Sequence, residues 1–182
     1  MPSDSLHEPW LSFLRELDRQ LASPTELHCL GGFVVAEYYG LMRATADIDI
    51  LESRGTDFAT LAKLAGRKST LHKQHGVIDV VTIADVPDNY DERLITAPAS
   101  FDNLSLRVLE RHDLVLAKIV RNTDRDRADV AALAGDPGLD IDLLRARYVE
   151  ELRPKLGRPE REDLTLTLWI EIIEETKQRT RG

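Results

Sequence analysis

Two aspartates spaced two apart inside an apolar segment, Asp47-Ile48-Asp49-Ile50-Leu51, constrain this chain more than any other feature. Side chains alternate faces along a strand, so Asp47 and Asp49 project together while Ile48, Ile50 and Leu51 supply the buried context. Two anions side by side at a strand end repel unless a divalent cation neutralises them, and hard carboxylate oxygens suit Mg2+ or Mn2+. A metal site for nucleotide phosphates is the economical reading. Upstream, residues 26–30 read as a short strand. Gly31-Gly32 then lets the backbone turn sharply and present N–H groups at the head of a helix, where phosphate is attracted.

Composition narrows the classes. The chain has 182 residues, 42% hydrophobic and 31% charged, with a net charge of -8. That length buries a real core in one domain or one domain with an appended bundle, and the acidity argues against broad electrostatic binding to DNA. The single cysteine, Cys29, lies in the expected first strand and reads as a small core hydrophobe. No leader, lipidation signal or long apolar run stands out, so the cytoplasm, with no membrane association, is the expectation.

The rest of the chain alternates helix and strand to about residue 110 and is mostly helical after it. Trp10, Phe13, Leu14, Leu17 and Leu21 recur at helical spacing ahead of Ser23-Pro24, and residues 58–65 read as a helix closed by Gly66. Residues 75–83, HGVIDVVTI, read as an apolar strand carrying one acid, Asp79, before a loop with Asp85, Pro87, Asp88 and Asn89. A carboxylate inside such a strand is unfavourable unless a cation or hydrogen bonds satisfy it. His72 and His75 are spaced like metal ligands but lack a convincing third partner, and Arg67, Lys68 and Lys73 beside them form a modest basic cluster.

Residues 112–135, HDLVLAKIVRNTDRDRADVAALAG, form the second informative stretch. Leu114, Val115, Ala117, Ile119 and Val120 fit a buried helix in which Lys118 stands isolated, with Arg121 one turn on. Asn122-Thr123-Asp124 ends that helix and caps the next, which carries Arg125, Asp126 and Asp129. Two more helices are expected over 139–152 and 160–177. In the latter Leu164, Leu168, Trp169, Ile172 and Ile173 make an apolar stripe for core packing or for a second copy of the chain.

Strand, Gly-Gly, helix and a strand bearing Asp-Ile-Asp, with fourteen residues between Gly32 and Asp47, resemble the DNA polymerase beta-like nucleotidyltransferase superfamily. The likeness is to its minimal bacterial members and to the abortive-infection type toxins, and it covers roughly residues 26–135. It implies an α/β (α+β) fold: a mixed sheet flanked by helices over 1–110, then a helical C-terminal bundle over 111–182. It further implies Asp47, Asp49 and Asp79 as ligands of Mg2+ or Mn2+, Asp79 also helping to deprotonate the attacking hydroxyl. Gly31, Gly32, Arg43, Thr45, Arg121, Arg125 and Asp126 fall on the nucleotide side, and Lys118 on the triphosphate. The reaction implied moves a nucleoside monophosphate from an NTP to an RNA (a tRNA end among them) or protein hydroxyl, as the toxin of a toxin–antitoxin pair. A catalytically quiet nucleotide-binding or antitoxin-like protein is the other reading of the same motif.

Overall fold

A computed structural model describes residues 6–41, 45–74, 77–80 and 84–181. The chain divides into two compact units, one formed by residues 1–82 and 94–109, the other by residues 83–93 and 110–182.

The first unit holds a five-stranded sheet in the order β3-β2-β1-β5-β4. Its strands are β1 (Thr25–Leu30), β2 (Asp47–Arg54), β3 (Val77–Val80), β4 (Ile95–Thr96) and β5 (Leu104–Val108). The β1–β2 and β4–β5 pairs are antiparallel, whereas β1–β5 and β2–β3 are parallel, so the sheet is mixed. Helix α1 (Trp10–Gln20) buries Trp10, Phe13, Leu14 and Leu17, each contributing roughly 1.5–3 kcal/mol relative to exposure. Trp10 meets the Phe13 and Phe33 rings edge to face, tying α1 to the segment after β1. Asp18, on the same helix, accepts from the backbone N–H groups of Asp102, Asn103 and Leu104 at 2.7–3.1 Å and so fixes the entry to β5.

After β1 the chain turns at Gly31 into a short helix, α2 (Gly31–Phe33), which runs on as a π-helical turn, Val34–Tyr38. Helices α3 (Phe58–Ala65) and α4 (Thr70–Gln74) follow β2. Asp57 caps α3 through the Thr60 N–H, and Ser69 does the same for α4 through the His72 N–H.

The pairing of β1 with β2 contains one irregularity that decides which side chains face where. His28 pairs with Glu52 but Cys29 pairs with Ile50, so Leu51 is an extra residue. In an unbroken strand Glu52 would share a face with Ile48 and Ile50, which are fully buried. The bulge reverses the alternation at Leu51, letting the two isoleucines enter the core while Glu52 and Arg54 turn outward. Beside the bulge the His28 ring, also fully buried, stands between two carboxylates, with Nε2 3.0 Å from Glu26 and Nδ1 3.5 Å from Glu52.

The second unit is helical: α5 (Arg111–Leu116), α6 (Asp124–Ala134), α7 (Ile141–Arg147) and α8 (Glu160–Arg181). The expected helix through residue 121 stops at Leu116 and continues as tight turns to Asn122, whose φ of 45° breaks it. The Asn122 side-chain oxygen accepts from Trp169 Nε1 at 3.2 Å and from Arg127, anchoring the break to α8. On α8 the apolar stripe splits. Trp169 and Ile173 are buried with Leu166 and Ile170, whereas Leu164 and Leu168 point outward. Helical spacing alone does not select between rows one residue apart.

Charged groups fill part of this unit's interior. Asp113, fully buried, accepts two hydrogen bonds from Arg93 and one from Arg147, and Arg93 also pairs with Glu151 at 2.7 Å. Glu110 accepts from Arg147 at 2.6 Å and from His112 Nδ1 at 2.9 Å, while His112 Nε2 accepts from the Asp140 N–H. Burial pushes the Glu110 carboxyl up, but the hydrogen bonds and charges of His112 and Arg147 outweigh it and hold the group at about 2, below its ordinary 4.5. A carboxylate depressed by folding stabilises the native state fully above about pH 4.5, and that contribution is lost as pH falls toward about 2. Urea midpoints for the second unit, followed by Trp169 fluorescence in a Trp10→Phe background, should therefore fall between pH 4.5 and 2. Glu110→Gln should flatten that fall; an equally steep fall in the variant would show that other groups carry it.

Candidate active site

Gly31 is where the two halves of the sequence motif meet. Its φ is +75°, and a Cβ added there would lie 1.7 Å from Oδ2 of Asp49, so the position needs a glycine both for its backbone and for the carboxylate lodged against it. Leu30 and Asp49 are register partners across β1 and β2, which brings the head of α2 to the acid. Asp47 and Asp49 are half-buried between the fully buried Ile48 and Ile50. On the other side of β2, Asp79 of β3 is the register partner of Asp49, and Val77 that of Asp47. Gly32 is buried one residue into α2. Thr45 donates its hydroxyl to the Asp47 carbonyl at 3.2 Å, bracing the start of β2.

Cys29, the neighbour of Leu30 on β1, is free and fully buried. Burial, with a smaller contribution from the Asp49 charge, pushes its thiol up to about 12, so it is a core side chain and not a nucleophile. Arg43 and His75 lie outside the described residues. Among the described residues no group of three or more His, Cys, Asp or Glu side chains converges at metal-holding geometry. The described donor set is the Asp47–Asp49 pair, hard oxygens beside a helix head, and it fits a hard divalent cation.

The second set of sequence-selected residues is assembled in the other unit. Lys118 is 3% exposed, with its ammonium 2.7 Å from Asp129 and 3.5 Å from Asp126, both buried. Asp126 is the third residue of α6. It closes a capping box with Thr123 and takes a two-pronged contact from Arg121 at 2.9 and 2.6 Å. Burial raises its carboxyl, but Arg121, Thr123 and the Lys118 charge outweigh that and hold it well below the usual carboxylate range. Arg121 and Arg125 are largely exposed. Asp129 is the residue that spacing left without a role, although it lies i, i+3 from Asp126 on the buried face of α6 and is the nearest partner of Lys118. The buried His28 between Glu26 and Glu52 was not foreseen, because nothing in an isolated strand marks a bulge.

Gly31→Ala should destabilise the first unit by about 1–3 kcal/mol from backbone strain plus the clash with Asp49. Adding Asp49→Gly should recover the clash portion, as read by a double-mutant cycle in urea; strict additivity would mean the two groups do not touch. Lys118→Met removes the buried cation that Asp126 and Asp129 share, and should lower stability by about 3–5 kcal/mol. A loss under 1 kcal/mol would place that ammonium in solvent instead.

No curated protein and no solved structure matches the chain. The family described as "nucleotidyltransferase of unknown function" (DUF6036) matches residues 13–177, which takes in Gly31, the aspartate pair, Asp79 and the whole Lys118–Asp129 segment. A strand–glycine–helix turn against an acid pair, matched over most of its length by that description, makes this chain a member of the nucleotidyltransferase family DUF6036.

Proposed function

We propose that the protein is a metal-dependent enzyme that transfers a nucleoside monophosphate from an NTP to a hydroxyl of RNA or protein. The observation that carries this reading is the lodging of Asp49 against Gly31, which sets a carboxylate beside backbone N–H groups suited to phosphate. Asp47 and Asp49 would hold Mg2+ or Mn2+, with Asp79, the register partner of Asp49 on β3, joining them. The cation would supply charge neutralisation at the triphosphate and a more acidic acceptor hydroxyl. The chain's own part is to fix the acids by the β1–β2 pairing, to seat phosphate oxygens on the Gly31-Gly32 backbone, and to take the hydroxyl proton on a carboxylate. The hydroxyl oxygen then bonds to the α phosphorus as pyrophosphate leaves.

Lys118, Arg121, Arg125 and Asp126 belong to the same proposal. Lys118 is committed to Asp126 and Asp129, so its role is to order the helix junction. Of these, the exposed guanidinium of Arg125 is the one that can meet a phosphate without stripping a buried ion pair, since Arg121 is held by the buried Asp126. No helix among the described residues is long and apolar enough to cross a membrane. The toxin role, with a cognate antitoxin as partner, is part of this proposal and rests on the resemblance of the motif blocks.

Position of label decides the chemistry. With Mg2+ and cellular RNA or protein as acceptor, α-labelled NTP should yield labelled macromolecule and γ-labelled NTP should not. Asp47→Asn/Asp49→Asn should abolish transfer and the Mn2+- and NTP-induced rise in melting temperature, without lowering stability in metal-free buffer, because crowded carboxylates repel. Labelling from the γ position alone would make the protein a phosphotransferase. Binding of NTP with no transfer from any of the four would leave a quiet nucleotide-binding protein.

A further inference from the structure

Residues 58–78 contain no aspartate or glutamate, although the chain has 32 acids and a net charge of -8. Within that run stand Lys63, Arg67, Lys68 and Lys73, all exposed on α3, on α4 and on the turn between them. Helix α1 packs against both α3 and α4 and adds the exposed Arg15 and Arg19. Ser12, Arg15, Glu16, Arg19 and Gln74 line a cleft of about 380 Å³ between α1 and α4. Glu16 is the acid there, and it is paired with Arg19. By contrast Arg15, Lys63, Lys68 and Lys73 form no ion pair among the described residues, whereas Arg93, Arg111, Lys118, Arg121, Arg147 and Arg153 of the other unit are all engaged by carboxylates. Cations without an ion pair among the described residues also stand in the other unit, at Arg125, Arg145 and Arg158, but each has an Asp or Glu within three residues in sequence, whereas the four on α3, α4 and their turn lie in a run of twenty-one residues with none.

We infer that this face binds the phosphodiester backbone of a single-stranded nucleic acid, and that the acceptor in the transfer proposed above is a nucleic acid seated there. Position supports it. Helices α3 and α4 both contact the edge strand β3, whose Val77 pairs with Asp47. Four residues of chain reach at most about 14 Å, and a strand spacing adds about 5 Å, so the Cα of Lys73 lies within roughly 20 Å of that of Asp47. A stacked strand places about six phosphates in that length, at about 3.4 Å each. A lipid surface is the poorer match, because membrane-binding helices set large apolar side chains beside their cations. Among the described residues the exposed large apolar ones, Leu143, Val149, Leu164 and Leu168, are all in the other unit. The overall negative charge repels a polyanion from the acid-rich remainder of the surface, which favours this face.

The test uses the 182-residue chain without NTP or metal. Fluorescence anisotropy is read for 20-nucleotide RNA and DNA of mixed sequence, and in parallel for vesicles containing anionic lipid. Oligonucleotide should bind, and for four contacts its affinity should fall about fifty-fold between 50 and 200 mM salt. Lys63→Gln/Lys68→Gln/Lys73→Gln should weaken binding at least tenfold and lessen the salt dependence, whereas Arg145→Gln/Arg158→Gln should not; the RNA and DNA arms identify the sugar. The triple variant should keep its melting temperature and its Mn2+·NTP response, and should lose label transfer to nucleic acid. Binding unaffected by the triple variant, or binding to vesicles and to neither oligonucleotide, would overturn the inference. Oligonucleotide binding without transfer by the wild-type protein would instead overturn the enzymatic reading and leave this surface standing.

Discussion

The approach of Asp49 to Gly31 is the contact around which the acid pair and the strand-to-helix turn of the first unit are built. Only a residue without Cβ leaves room for the carboxylate, and only a positive φ sends the chain from β1 into a helix at that point. The two requirements coincide at one position, so the glycine that makes the turn is also the glycine that admits the acid. The bulge at Leu51 completes the arrangement. It lets a strand that begins with acids between isoleucines end with Glu52 and Arg54 without burying either charge in the core, and the His28 ring between Glu26 and Glu52 marks the place where the alternation reverses.

A different principle organises the second unit, where buried charges specify the joints between helices. Asp126 serves three neighbours at once: it caps α6 with Thr123, receives Arg121 and faces Lys118. Asp113 similarly gathers Arg93 and Arg147. Such clusters add little stability over an apolar core of the same shape, but removing one member leaves the others uncompensated, which makes the geometry all-or-none. The positions that look most like phosphate ligands in the sequence are therefore the positions whose loss would disturb folding, and activity alone cannot separate the two effects.

The two units were legible to different degrees. Alternation revealed the aspartate pair and its isoleucines because a strand's period is short and the residues are adjacent. The Gly-Gly turn was legible for the same reason, and the mixed sheet flanked by helices followed from those local signals joined by resemblance. Strands β4 and β5 were not singled out. Ile95–Thr96 is too short to show a period, and Leu104–Val108 earns its place beside β1 through a parallel pairing some eighty residues away in sequence. The apolar stripe of α8 was read in part: Trp169 and Ile173 are buried, whereas Leu164 and Leu168, which satisfy helical spacing as well as Leu166 and Ile170 do, are exposed.

What the sequence determined by itself was local: which strand carries paired carboxylates, where glycine permits a sharp strand-to-helix turn, and where Asn122-Thr123-Asp124 ends one helix and caps the next. Those properties depend on residues within a few positions of one another, and backbone geometry translates them directly. What only the tertiary structure decided was which charges meet. Lys118 reads as an isolated cation in an apolar run, yet Asp129 and Asp126 satisfy it across a helix junction. Whether a charged side chain is free or engaged is set by partners distant in the chain, because electrostatic energy depends on separation in space and on the water excluded around the pair, neither of which is written in residue order.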